Sequence, residues 1–392
     1  MNGEKTPEPG AKKQNALALN INNLRMYAMI LVLIIVSIFF QIVVPGGIFL
    51  SARNLSNLFR QLTITGVITM GMMKLIISGN FDLAVGSIVA LVGGFAAIMQ
   101  VEYGMSTWLV IPLSLLLGVA LGSWQGFWVA YQRVPSFIVT LGNMMLFRGI
   151  YLTVRGGATI QPMKKDFAAI MTTYIPVEAG VIIGVIAAVA FTLLFLSRRN
   201  AQIRYGLTVE NIRTTVLKIA IAVVLITLFV YQMNAFNGIP VSVIIFIGVV
   251  LLFYFMTTKT RYSRRVYAIG GNPEAAKLAG IDVKKYVFTL FLINGALSAL
   301  SGILLTSRLN AAVIAAGTAY EMDVISAVVV GGVSLSGGKG TVIGVLIGAL
   351  LISTLGNGMS LLNIDSNVQN IVKGLVLILA VWFDVATQSK SK

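Results

Sequence analysis

The chain has 392 residues, of which 57% are apolar and only 11% are charged, with a mean hydropathy of +0.90. Since an average soluble domain carries about 25% charged residues, this composition excludes an ordinary soluble protein and indicates an integral membrane protein. The absence of cysteine and histidine excludes disulfides, thiolate or imidazole metal ligands and histidine proton relays. The net charge of +16 comes largely from basic residues in short loops between apolar runs, which favours the charge bias of a membrane protein over nucleic-acid binding.

The predicted elements begin with a polar tail over residues 1–25, which we expect to be cytoplasmic and disordered. The apolar run 26–44 is too long for the apolar region of a signal peptide and predicts a first transmembrane helix. Residues 51–61 carry apolar side chains at helical spacing between polar ones, which predicts a short amphipathic helix at the membrane interface.

Eleven further apolar segments bring the candidate transmembrane segments to twelve. Because two of them, 219–231 and 322–333, are short enough to be broken or re-entrant, the sequence predicts an all-α polytopic membrane protein with about 10–12 transmembrane helices. We expect one transmembrane domain over residues 26–385 and a short cytoplasmic tail over 386–392. The eleven segments lie at 62–79, 83–99, 107–130, 136–154, 177–196, 219–231, 238–256, 286–307, 322–333, 341–360 and 368–383.

The Lys and Arg residues of the loops predict the orientation, because cytoplasmic loops of membrane proteins are enriched in them. With a cytoplasmic amino terminus, the inside loops and tails hold 20 basic residues and the outside loops hold six. Both termini, and the polar loop over residues 258–285, are therefore predicted to face the cytoplasm.

Residues 115–130 and 345–360 resemble each other weakly, because Gly118 aligns with Gly348 and Gly126 aligns with Gly356. Transport proteins often contain repeated halves with the substrate path at their interface. The pattern supports a possible internal repeat, although Gly-rich apolar helices also align by chance.

The segment from Asn80 to Ser87, NFDLAVGS, places an acidic residue between two apolar runs with almost no connecting loop. Such residues usually face a bundle interior or a water-filled path, because a carboxylate facing lipid is costly. Asp82 could cap the following helix through backbone N–H groups or contact a solute directly, and the cap is the favoured interpretation. Asn80, Asp82 and Ser87 are candidate residues of a substrate pathway.

Three basic residues, Lys74, Arg148 and Lys373, lie within apolar segments. Lys373 lies near a helix end and is predicted to extend its long side chain to the membrane interface. Lys74 and Arg148 lie deeper and need partners, and Asp82 is the acidic residue nearest in sequence to Lys74. For each basic residue taken singly, extension of the side chain to the interface is the favoured interpretation. Arg148 joins the candidate pathway residues.

Four amide side chains, Gln125, Asn143, Asn294 and Asn357, lie within or beside apolar segments. Such groups usually hold helices together, contributing about 0.6 kcal/mol each, and they could instead hydrogen-bond a neutral sugar or polyol. Asn143, Asn294 and Asn357 complete the candidate pathway.

Residues 267–283, YAIGGNPEAAKLAGIDV, form a polar insert between long apolar segments, with basic residues on both sides. Asn272 and Pro273 followed by Glu274, with Gly280 further along, predict a short helix that begins after Asn272 and ends at Gly280. A short helix in a cytoplasmic loop suits contact with a soluble partner.

Five stretches of the sequence resemble the permease subunits of bacterial ATP-binding-cassette importers for monosaccharides, of the ribose, xylose and galactose class. Residues 82–87, DLAVGS, resemble that family's DLSVGS signature, with Ala84 in place of the usual Ser. Residues 134–142, VPSFIVTLG, and 147–149, FRG, match two further patterns of the family.

The resemblance extends over about residues 50–385. Residues 274–280 resemble the loop through which such permeases dock on their ATPase, and 371–374, IVKG, match a pattern near the carboxyl end. Xylose-type and multiple-monosaccharide permeases look closest, since they share a middle segment, here 198–237. Lys74 departs from the pattern at a position that is usually apolar.

The resemblance implies a transport subunit of the bacterial inner membrane, with no catalytic residues, no metal site and no cofactor of its own. A separate cytoplasmic ATPase would hold ATP and Mg, an extracytoplasmic sugar-binding protein would deliver the sugar, and a second permease copy would complete the pore. It also implies that the ATPase contacts Gly270, Gly271, Asn272, Glu274, Ala275, Ala276 and Gly280. The alternative is an ion-gradient-driven transporter, which predicts paired intramembrane acids or histidines, whereas the sequence indicates that Asp82 is nearly alone.

Overall fold

The computed structural model describes residues 9–156, 158–206, 209 and 211–389, where regular structure is almost entirely α-helical. Two short antiparallel strands, β1 (Tyr174–Ile175) and β2 (Ile239–Pro240), join two connections between helices. The helices are α1 (Pro9–Val43), α2 (Ala52–Ile77), α3 (Val85–Ala97), α4 (Thr107–Ala130), α5 (Ser136–Arg155), α6 (Lys165–Thr172), α7 (Val177–Arg204), α8 (Ile212–Asn234), α9 (Val241–Lys259), α10 (Arg261–Gly271), α11 (Pro273–Leu278), α12 (Val283–Leu309), α13 (Tyr320–Val330), α14 (Val342–Leu361) and α15 (Ser366–Ser389).

In the part of the chain that the structure describes, nine helices are long and apolar enough to cross a membrane. They are α1, α3 with its π-helical extension to Glu102, α4, α5, α7, α8, α9, α12 and α14. Helices α2, α13 and α15 pack in the same bundle, and α15 contains a shorter apolar stretch, Ser366–Trp382. The predicted all-α polytopic membrane protein is confirmed.

Helix α2 lies at the centre of the bundle, where every residue from 66 to 78 is buried. It packs against α9, α12, α13 and α14, while α12 also packs along α3 and α4. The outer helices α1, α7 and α8 expose most of their apolar side chains, as helices in contact with lipid do. Polar groups on α2 and α12 therefore lie inside protein rather than against lipid.

Helix α2 begins at Ala52, so the prediction of a separate interfacial helix over 51–61 is wrong. Ser51 caps the helix by accepting a hydrogen bond from Asn54 N. Leu58 is buried in a cluster with Phe49. The polar start of α2 thus makes protein contacts that the periodicity of its apolar residues did not reveal.

Helix α8 has 23 residues, so segment 219–231 is part of a complete helix rather than a broken one. Its polar first turns, capped by Asn211, lengthen it beyond the apolar run. Helix α13 has only 11 residues, which confirms a short segment near 322–333. Helix α1 begins at Pro9 and extends into the predicted tail, while residues 1–8 lie outside the described residues.

Loops that the charge count assigns to one side of the membrane lie together. At the end of the bundle that carries α10 and α11, called the α10 end below, Gly338 N donates to Ile77 O at 2.8 Å. At the opposite end, called the α6 end, Arg308 Nη2 donates to Asn57 Oδ1 at 3.1 Å. Gly338 comes from a predicted cytoplasmic loop and Ile77 from the predicted cytoplasmic end of segment 62–79. Arg308 and Asn57 come from predicted outside segments, so the grouping agrees with the predicted alternation of spans.

Glycines let α4 and α12 approach closely, because a Cβ on Gly295 would overlap Gly118 O and the backbone of Gly122. Gly348 of α14 is equally confined, since its Cβ would overlap Ala327 O of α13. The glycines aligned in the possible repeat, Gly118 and Gly348, thus both permit close helix contact, although with different neighbours. The repeat itself stays a prediction.

Gly295→Ala should destabilise the bundle by about 1–3 kcal/mol, because the added methyl group meets backbone atoms that cannot rotate away. The measurement is the Tm of the purified protein in detergent. Gly248→Ala in α9 is the matched control: nothing lies within 4 Å of its Cβ position, so alanine should keep or raise the Tm through helix propensity. Equal Tm values for both variants would contradict close α4–α12 packing.

Candidate functional site

Helix α11 forms at the place that the sequence predicts. Asn272 caps it, since its Oδ1 accepts hydrogen bonds from Glu274 N and Ala275 N, each at 3.0 Å. Pro273 occupies the first helical position, where a missing N–H costs nothing. Gly280, with φ +79°, follows the helix in the left-handed conformation that glycine adopts readily.

The two faces of α11 differ in exposure. Ala276 is buried against the bundle, whereas Glu274, Ala275 and Lys277 are exposed and the Leu278 side chain is 90% exposed. Burying such a leucine against a partner would stabilise a complex by about 1.5–3 kcal/mol. The sequence analysis missed Leu278 because a six-residue helix is too short to define an apolar face.

Backbone contacts fix α10 to the bundle. A Cβ on Gly270 would overlap Ile77 O at the end of α2 and would lie 2.6 Å from Gly338 N. Tyr267 Oη donates to Gly340 O at 2.6 Å, and burial raises the pKa of this tyrosine to about 12, so the hydroxyl stays a donor. Gly270 therefore faces the bundle, while Gly271 has open space around it.

A groove of about 590 Å³ lies between α11 and the end of α4. Its lining includes Arg133, Lys277 and Lys284, which make it electropositive, and Asn80. The Asn80 amide donates locally, to Ser78 O at 3.3 Å and to Ser78 Oγ at 3.0 Å. The loop that carries Asp82 therefore borders the same groove as α11.

Asp82 is fully buried where three helices meet. Its Oδ1 accepts hydrogen bonds from Ala84 N at 2.9 Å and from Gln125 Nε2 of α4 at 3.2 Å. Its Oδ2 accepts from Asn294 Nδ2 of α12 at 2.8 Å. Asp82 is not the cap of α3 that the sequence analysis favoured, because the N-cap residue is Ala84 and no side chain caps the helix. The bond to Ala84 N instead orders the turn before α3, and the two amide bonds join that turn to α4 and α12. We call these residues the Asp82 cluster.

Ser87 and Asn143 lie at contacts of α5 with α3 and α4. Ser87 Oγ donates to Met144 O at 2.8 Å, and Asn143 Oδ1 accepts from Trp124 Nε1 at 3.2 Å. Both side chains are buried. In this structure they join helices, which is the role that the sequence analysis favours for amides in apolar segments.

Asn357 lies elsewhere, in the contact between α14 and α2. It exchanges two hydrogen bonds with Asn54, at 2.8 and 3.2 Å. The structure thus brings Asp82 and Asn294 together and leaves Asn80 and Asn357 at separate contacts. The candidate pathway residues do not form one site.

Arg148 holds the connection between α12 and α13. Its guanidinium donates to Ile314 O at 3.3 Å, to Ala316 O at 3.0 Å and to Thr318 Oγ1 at 2.9 Å. Residues 310–319 are not helical, so their carbonyl groups need partners at this depth in the bundle. The Arg148 guanidinium therefore serves as a hydrogen-bond donor to backbone carbonyl oxygens of this connection.

Lys373 has an acidic partner that the sequence analysis did not identify, while its predicted reach to the membrane interface stays a prediction. Its Nζ forms an ion pair with Asp323 Oδ2 at 2.8 Å, and both side chains are about 15% exposed. Asp323 and Glu321 lie in the first turn of α13, where the helix dipole favours acidic groups. The sequence analysis missed Glu321 and Asp323 because they lie at the start of the apolar segment 322–333. The expectation that Asp82 is nearly the only acidic residue of this kind is therefore wrong.

Lys74 is 1% exposed, and the suggested partner Asp82 is wrong. Its Nζ donates to Ser263 Oγ of α10 and lies 5.3 Å from the centroid of the Tyr267 ring. The lysine thus joins the centre of the bundle to the short helix that precedes α11.

Comparisons with known proteins agree with this architecture. Residues 54–381 match the family described as branched-chain amino acid transport system / permease component. The xylose transport system permease protein of Haemophilus influenzae is 43% identical over 368 residues, which cover 94% of this chain and 98% of that protein. The xylose transport system permease protein of Escherichia coli is 42% identical over 369 residues, or 94% of each chain.

A second group of relatives is more distant. The ribose import permease protein of Haemophilus influenzae is 35% identical over 336 residues, or 86% of each chain. No solved structure matches the chain at a significant level. The family model and these long alignments together show that the chain belongs to the family of branched-chain amino acid transport system permease components, and that it is a transport component rather than an enzyme.

Proposed function

We propose that this chain is the membrane-spanning subunit of an ATP-binding-cassette importer that carries a monosaccharide, xylose or a related sugar, across the bacterial inner membrane. The names of the xylose and ribose relatives support the sugar class. The observation that carries the proposal is α11, a capped short helix that presents Leu278 and Glu274 to solvent at the α10 end.

A cytoplasmic ATPase would bind ATP and Mg and receive α11, so this chain needs no cofactor of its own. When the ATPase closes on ATP, the displacement of α11 would pass to α10. The backbone contacts of Gly270 with Ile77 and Gly338 would carry it onward to α2. Alternating access would follow as a rigid-body rearrangement of packed helices.

The other partners follow from the same proposal. An extracytoplasmic sugar-binding protein would deliver the sugar at the α6 end and supply most of the specificity. A second copy of the chain would complete a homodimeric pore, and the apolar outer faces of α1, α7 and α8 would contact membrane lipid. The α10 end, and both termini, would face the cytoplasm, which the excess of basic residues in the loops at that end supports.

The Asp82 cluster would offer the sugar hydrogen-bonding groups inside an otherwise apolar bundle. Movement of α12 away from α3 would break the 2.8 Å bond between Asn294 and Asp82. Asp82 Oδ2 and the Asn294 amide would then be free to hydrogen-bond sugar hydroxyls. A neutral sugar needs only such a weakly polar path when the binding protein selects it.

Reconstitution in proteoliposomes tests the proposal. With the ATPase and the binding protein present, uptake of radiolabelled xylose should require enclosed ATP and should fall to background when the ATPase is omitted. Ionophores should leave uptake unchanged. Uptake that persists without the ATPase and collapses with ionophores would refute the proposal and favour ion coupling, for which Glu321 and Asp323 offer carboxylates.

A further inference from the structure

Lys74 stands out because its charge is buried without an acidic partner. Its side chain is 1% exposed, and no carboxylate of the described residues forms an ion pair with it. The contacts of its Nζ are the Ser263 hydroxyl and the face of the Tyr267 ring, both on α10. This unusual charge therefore lies at the contact between α2 and α10.

Stability alone does not call for a lysine at this position. A methionine would fill a similar space, and removing a charge from water is unfavourable even when the charge finds polar contacts. The inward face of α10 also carries Val266 and Ile269, whose apolar contacts are non-directional and allow helices to slide, and Gly270, which packs closely on Ile77 O. A charge-assisted hydrogen bond has a defined direction, so it opposes sliding of α10 along α2.

Lys74 also lies close to the Asp82 cluster along α2. Gly71, about one helical turn away, is packed so closely against Asn294 that a Cβ there would overlap Asn294 Oδ1. Asn294 in turn donates to Asp82. One short stretch of α2 thus contacts both α10 and the Asp82 cluster.

We infer that Lys74 is a positioning residue that couples α10, and with it α11, to α2, so that these segments move as one body during transport. The inference rests on the proposed function, because it assigns Lys74 to the route by which the ATPase moves the bundle. Tyr267 assists by offering its ring to the Lys74 ammonium and by fixing its own hydroxyl to Gly340 O.

Coupling is tested with the reconstituted complex by measuring sugar transported per ATP hydrolysed. Lys74→Met should lower this ratio at least tenfold, while the ATPase still co-purifies and the Tm in detergent is equal or higher. Ser263→Ala should act in the same direction, and the double variant should be no worse than Lys74→Met. An unchanged ratio of sugar transported to ATP hydrolysed in both single variants would overturn the inference. The inference would also fail if uptake fell only in proportion to the amount of folded protein, because Lys74 would then serve folding alone.

A second measurement is independent of which sugar is carried. Because the chain contains no cysteine, spin labels can be placed at Arg264→Cys on α10 and Arg53→Cys at the start of α2, both exposed. The distance between the labels should stay the same with and without ATP in the complex, and should change in the Lys74→Met background. Equal behaviour in the two backgrounds would refute the role of Lys74. If the wild-type protein transports sugar without the ATPase, the proposed function fails. In that case, a label distance that Lys74→Met alters in the isolated permease would still support the contact between α2 and α10.

Discussion

Leu278→Glu should weaken binding of the cytoplasmic ATPase at least about 30-fold while leaving the permease folded and inserted. The wild-type leucine is 90% exposed in the isolated chain, so replacing it removes no internal packing. In the complex the same side chain would be buried, and loss of about 2 kcal/mol of apolar contact corresponds to that change in affinity. The measurement is the Kd of the purified ATPase for the permease in nanodiscs.

The matched control for this variant is Tyr205→Glu. Tyr205 is 75% exposed and follows α7 on the same predicted cytoplasmic side, but it lies outside residues 267–283. ATPase binding should be unchanged by this replacement and reduced by Glu274→Ala and by Gly280→Trp. Wild-type affinity in Leu278→Glu would mean that α11 is not the docking element.

Asp82→Ala should destabilise the protein by about 2–4 kcal/mol and abolish transport. The replacement leaves the backbone N–H of Ala84 and the amides of Gln125 and Asn294 without their acceptor. A buried donor left unpaired costs about 1–3 kcal/mol in soluble proteins. A side-chain hydrogen bond between helices in a membrane contributes only about 0.6 kcal/mol on average, so the loss of three bonds sets the lower end of the expected range at about 2 kcal/mol. The Tm in detergent and sugar uptake in proteoliposomes measure the two effects.

Two further variants separate the structural role of Asp82 from its charge. Asp166→Ala removes an exposed carboxylate from the first turn of α6 and should change stability by less than about 1 kcal/mol. Asp82→Asn should stay close to wild-type stability, because Asn294 Oδ1 has no partner among the described residues and can turn to accept from the new amide. If Asp82→Asn is stable but inactive, the charge itself serves transport. A stable and active Asp82→Ala would mean that the Asp82 side chain is dispensable for both folding and transport.

The amino-acid sequence by itself determined the class of protein, most spans and the short helix α11. These features depend on local properties: runs of apolar residues match the membrane thickness, and an Asn-Pro start with a later glycine delimits α11 through its own backbone groups. The boundaries of α4, Thr107–Ala130, agree with the predicted segment for the same reason.

Only the tertiary structure decided which polar groups meet. Asp82 and its partner Asn294 lie 212 residues apart in sequence, and Lys74 and Ser263 lie 189 apart, so proximity along the chain wrongly suggested Asp82 for Lys74. A charge in an apolar helix requires a partner because desolvation is unfavourable, but the sequence does not say whether that partner is a carboxylate, a hydroxyl, an aromatic ring or a row of carbonyl oxygens. The packing of α2, α10 and α12 makes that choice. It places Lys74 about one helical turn from Gly71, the α2 residue that packs against Asn294 of the Asp82 cluster.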